Sequence, residues 1–126
     1  MSYRRTTTIT SLIFITLFVA LVLFPQVIYW LFNLQQNDVS DFLAKRAGML
    51  FLGLAILCFY SRNTSSMEVE KLVSLSIATS MTAMAVLGVF EFLRGNAGPG
   101  IMVAVFAELV IVLFFYRFWS TQRQKA

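Results

Sequence analysis

The chain reads as an all-α, four-helix transmembrane bundle with both termini on one side, and three observations predict it. Apolar residues fill 59% of the 126 positions and charged residues only 13%, against about 25% charged in soluble domains. The apolar residues fall into four runs near membrane length, since about 20 residues rising roughly 1.5 Å each cross a hydrocarbon core of about 30 Å. The ten Lys and Arg stand in ones and twos at the ends of those runs, a topogenic placement rather than a nucleic-acid patch. Four spans leave only short tails and loops, with no soluble domain, and the expected helices cover about 9–33, 41–60, 66–94 and 99–119.

The first span follows a polar tail, Met1 to Thr8, and runs from Ile9 to about Phe32. It imitates a secretory signal, but it continues through Phe24, Pro25 and Trp30 without a small-residue cleavage site, so a retained helix is expected. Pro25 removes a backbone donor and should kink the helix in its last third, freeing a carbonyl for a neighbour such as Gln26. Tyr29 and Trp30 suit an interfacial aromatic belt.

Asn33 to Asp41 (NLQQNDVSD) is the longest polar connector, with Asp38 or Ser40 available to cap the second span. The clean apolar run there, Ala47 to Tyr60, has only fourteen residues. A helix of that length covers roughly 21 Å, so a full crossing must take in Lys45 and Arg46. Those cations must snorkel to the surface or meet a carboxylate inside the bundle.

The loop Ser61 to Glu70 (SRNTSSMEVE) places Ser65 and Glu68 at capping-box spacing and starts the third span near Ser66. The span then carries Ser74, Ser76, Thr79, Ser80 and Thr82, small and hydroxylated residues that let helices approach closely. Gly95 to Pro99 (GNAGP) is a tight turn, with Gly95 a terminator and Pro99 suited to a first helical position, so the third and fourth spans should be antiparallel neighbours. The fourth span, Gly100 to Trp119, is a run of twenty residues with one carboxylate, Glu108, near its centre. Tyr116, Phe118 and Trp119 with Arg117 read as an interfacial anchor, and Ser120 to Ala126 as a basic tail.

Four spans put Arg4, Arg5, Arg62, Lys71, Arg117, Arg123 and Lys125 on one side and Lys45, Arg46 and Arg94 on the other. The positive-inside rule then expects both termini in the cytoplasm. With no His and one Cys, Cys58, no metal site, cofactor or disulfide within the chain is expected. Cys58 lies in an apolar run and reads as a buried, inert thiol. Nucleophile elbow, P-loop and dinucleotide fingerprint are absent from the sequence, so a non-enzymatic protein is expected. GNAGPG lacks the lysine and spacing of a phosphate loop.

An ionised Glu facing lipid at mid-depth would cost on the order of 3 kcal/mol, so Glu108 should face other helices, be protonated, or both. By depth alone it lies roughly 12–14 Å below the outer surface, within reach of an Arg46 side chain extending roughly 6–7 Å inward. Gln26, Lys45, Arg46, Glu91 and Glu108 all fall in the outer half of the bundle. They define the candidate ligand or proton site, a polar pocket open outward with Glu108 at its floor and Arg46 as counter-ion. The competing reading is structural. Gly100, Ala104 and Glu108 recur at four-residue steps, a seam in which Glu108 would knit helices or contact another subunit. Glu91 and Arg94 would then be an ordinary interfacial pair.

The segment Ala44 to Asn63, AKRAGMLFLGLAILCFYSRN, followed by a hydroxyl- and alanine-rich span and the GNAGPG turn, resembles a loose group of uncharacterised bacterial four-helix membrane proteins of this length. The resemblance implies a four-helix bundle in the bacterial inner membrane and no activity. Small multidrug transporters share the length and four spans but carry their embedded carboxylate in the first helix, where this chain has none. The expected function is an accessory subunit of a larger membrane complex, or a small binding protein with its polar site in the outer half. The alternative is a proton- or cation-coupled carrier working as a homo-oligomer, with Glu108 titrating. Expected partners are membrane lipid and other membrane subunits or further copies, and no nucleic acid.

Overall fold

The computed structural model describes residues 2–125, the side chains of Arg123 and Lys125 excepted. Five helices form: α1 (Tyr3–Leu23), α2 (Pro25–Phe32), α3 (Asp38–Ser61), α4 (Met67–Leu93) and α5 (Ile101–Lys125). Four of them, all but α2, are long and apolar enough to cross a membrane. The protein is an all-α, multi-pass membrane bundle.

Of the polar tail expected over Met1 to Thr8, the residues from Tyr3 on are instead the first turns of α1. Ser2 caps it by accepting from the Arg5 amide, and the Thr7 and Thr8 hydroxyls donate to the Tyr3 and Arg4 carbonyls at 2.8 and 2.7 Å. Hydroxyls satisfied in this way fit inside a helix, and Thr6, Thr7, Thr10 and Ser11 are buried there. The expected kink is a break. Phe24 leaves the helix at φ −133° and ψ 56°, and Pro25, with no N–H to lose, starts α2 at its first position. Asn33 closes α2 in the left-handed region at φ 54°, which Asn tolerates better than most side chains.

The cap of α3 is Asn37, in place of the expected Asp38 or Ser40. Its side chain accepts from the Ser40 amide at 2.8 Å while the Ser40 hydroxyl accepts from the Asn37 amide at 3.0 Å. Asp38 and Asp41 fall in the first turn, where carboxylates suit the positive helix end. α4 is capped by Ser66, which accepts from the Val69 amide at 3.4 Å, one residue on from the expected Ser65. Its far end reaches Gly95, whose φ of 81° a side chain would resist. α5 runs past Trp119 to Lys125, because Gln, Arg and Lys continue a helix readily once it leaves lipid.

α1 packs along α3 and α4 along α5, making two antiparallel hairpins with narrower contacts between them. Glycines set both close approaches. A Cβ on Gly48 would lie 2.8 Å from Val22 Cγ2 of α1, and one on Gly88 2.8 Å from Val105 Cγ2 of α5; small residues of this kind give helices in lipid their van der Waals contact. Deep in the first hairpin the Ser11 hydroxyl donates to the Ala55 carbonyl at 2.8 Å. Phe14, Phe51, Cys58, Ile77, Ile111 and Phe115 lead the core, which draws on all four long helices and lies between mid-bundle and the end bearing the termini. At the opposite end the 95–100 turn docks on α2: the Gly98 amide donates to the Phe32 carbonyl at 2.7 Å, and a Cβ on Gly100 would collide with the Leu31 carbonyl.

Candidate functional site

α5 buries Val105, Ile111 and Phe115 on one face. Glu108, three residues on from Val105 and three before Ile111, shares that face by helical periodicity and is half-buried. Gly88 opposite Ile101 and Val105 fixes the antiparallel register, which brings position 108 level with 81 to 85, where Met81 and Ala85 are buried. Its Oε2 is buried with no hydrogen-bond partner. A polar atom left so inside a bundle costs several kcal/mol, so Glu108 is a costly group to hold in a membrane-spanning helix.

The other candidates lie apart from it. Arg46 is exposed, its guanidinium 5.7 Å from the centre of the Phe42 ring one turn back on α3. The Arg46–Glu108 pair that depth allowed is not made: α3 borders α1 and α4, whereas Glu108 is on α5. Lys45 and Gln26 are exposed. Glu91 accepts from the Asn96 side chain at 2.6 Å, and Arg94 stacks over Phe90 at 5.4 Å rather than pairing with Glu91. Among the described residues no hydrogen bond or ion pair joins any two of Gln26, Lys45, Arg46, Glu91 and Glu108. Nor is the expected Gly100–Ala104–Glu108 seam one surface, since Gly100 meets Leu31 of α2.

Two polar arrangements stand where the sequence did not point. Tyr29 turns inward, 7% exposed, and its hydroxyl donates to Asp41 Oδ1 at 2.9 Å, pinning α2 to α3. Its neighbour Trp30, 81% exposed, keeps the belt position expected of both. Toward the termini, Thr6, Thr7, Thr10, Ser11, Ser61, Ser74 and Gln122 are buried, with Thr6 Oγ1, Ser74 Oγ and Gln122 Oε1 lacking partners. The run TTTITS held a signal: 6, 7, 10 and 11 share one helical face.

The concavities beside these groups are grooves along the lipid-facing surface. One of about 270 Å³ runs between the hairpins, lined by Ile9 and Ile13 of α1 and by Phe106, Ala107, Val110 and Phe114 of α5. The other, of about 410 Å³, lies between α4 and α5 on the opposite flank of α5, with Leu75, Ala78, Thr79, Thr82, Tyr116 and Trp119 among its walls. Both are apolar, fitting a hydrocarbon chain or a helix surface and not a polar small molecule. No protein-family model, curated protein or solved structure matches the chain.

Proposed function

We propose that the chain is a non-enzymatic protein of the bacterial inner membrane, with both termini cytoplasmic, serving as a subunit of a larger membrane assembly. The observation that carries this is the uncovered state of α5. Only 17% of its span is buried, against 28–39% for the other three, and a groove with the exposed Ala107 on its α5 wall opens between it and α1. A small residue on that exposed wall lets a further helix approach closely, and van der Waals contact of that kind drives association in lipid. Native mass spectrometry of protein extracted from its host membrane in mild detergent tests this. One defined assembly of higher mass is expected, and Ala107→Phe, which fills the groove, should release the chain from it. A bare monomer from the unsubstituted chain would refute the proposal.

A second reading rests on the orphaned Oε2 of Glu108. Intramembrane carboxylates mark ion and proton pathways by default, and a homo-oligomer exchanging protons or cations would use this one. Substrate-driven proton movement in proteoliposomes should then be lost in Glu108→Gln; transport unaltered by that substitution would remove the carrier reading.

A further inference from the structure

The groove between α4 and α5 differs from its counterpart in what stands at its mouth. On α4 its wall is Leu75, Ala78, Thr79, Thr82 and Ala83, and one turn before Leu75 the same face carries Lys71, half-buried. On α5 the wall ends in Tyr116 and Trp119, whose rings lie 5.8 Å apart. The groove is apolar along its length, with an aromatic pair on its α5 wall and a cation one turn beyond its α4 wall, the combination that a lipid's acyl chain and headgroup meet together. The ends of the bundle also differ in charge. The end bearing the termini has Arg4, Arg5, Arg62, Lys71, Arg117, Arg123 and Lys125 against Glu68 and Glu70. The other has Lys45, Arg46 and Arg94 against Asp38, Asp41 and Glu91, so it is balanced. The larger groove therefore opens at the strongly basic end.

We propose that this groove seats one acyl chain of an anionic bilayer phospholipid, with the lipid phosphate at Lys71 and Trp119 at headgroup level. The parts suit their roles: a cation for the phosphate, an indole, the side chain that favours headgroup level in a bilayer, and an apolar groove of about 410 Å³ below. Glu68, one turn further out than Lys71 on α4, is exposed. Basic pockets between helices at one membrane face select anionic lipids in this manner. A single cation at the surface is worth about a factor of five in affinity for such a headgroup.

The test uses the full chain in phosphatidylcholine vesicles. Of the two tryptophans, Trp30 is at the opposite end and is replaced as Trp30→Phe, leaving Trp119 as the reporter. Phosphatidylglycerol brominated on its acyl chains is compared, at equal mole fraction, with phosphatidylcholine brominated in the same way. The expected result is preferential quenching of Trp119 by the brominated phosphatidylglycerol, equivalent to a relative affinity of about five, falling to about one in Lys71→Gln. Ala83→Phe, which fills the groove without touching charge, should also abolish the preference. Equal quenching by the two lipids in the parent chain would overturn the proposal. So would a preference that survives Lys71→Gln, because the basic end as a whole would then be attracting lipid without a site. A Trp119 shielded from both lipids would overturn it too, by showing that protein covers the groove.

Discussion

Tyr29 shows how one side chain decides which way a segment faces. Adjacent positions on a helix point about 100° apart, so Tyr29 and Trp30 can take different surroundings: Trp30 is turned to the outside and Tyr29 to Asp41. The sequence made both residues equally suited to the interface, and it was silent on the rotation of α2, which the break at Phe24 sets. The same gap separates Glu108 from Arg46: depth along a helix is readable from position, azimuth is not, and azimuth keeps them apart. The Tyr29 bond supplies a prediction. Tyr29→Phe keeps the ring packing and removes only the donor, leaving the carboxylate without it, and should lower stability by about 1.5 kcal/mol, read from unfolding in detergent. A change within error would mean that water replaces the hydroxyl at no cost.

At the scale of elements, the four spans and the 95–100 turn were legible because long apolar runs and a glycine–proline cluster need no tertiary context. Boundaries were less so. Asn37 won the α3 cap over Asp38 because Ser40, three residues on, completes a reciprocal pair of bonds; the tail became α1 because its threonines satisfy themselves on helical carbonyls. The break between α1 and α2 has a use beyond tolerating a proline. It directs α2 so that Tyr29 reaches α3 while Leu31 and Phe32 meet the turn before α5. Pro25→Ala, which allows α1 to continue straight, should weaken those contacts together. In a double-mutant cycle with Tyr29→Phe, the expected coupling is at least about 0.5 kcal/mol, and strictly additive effects would show that the break and the bond are independent.

Over the whole molecule, the charge difference between the two ends is the strongest orienting feature, with seven cations at the end bearing the termini and three at the other. The proposed cytoplasmic location of the termini rests on this difference through the positive-inside rule, and it can be tested directly. With Cys58→Ser as background, an impermeant thiol reagent applied from outside intact cells should label Asn96→Cys, in the turn before α5, and leave Ser65→Cys, in the loop before α4, untouched. The reverse pattern would invert the topology, and with it the membrane leaflet that Lys71 and Trp119 face.

The amide of Gly98 held by the carbonyl of Phe32 reaches further than a single bond. The two hairpins are like the covers of a book whose spine is the short 62–66 loop at the end with the termini, and the Gly98 contact is a clasp on the opposite edge. A clasp made of backbone, with glycines where any side chain would hold it open, closes without regard to what lies on the pages. The packing inside each hairpin therefore takes no part in the clasp, and a side chain at position 100 would hold the two edges apart while leaving each hairpin as it is.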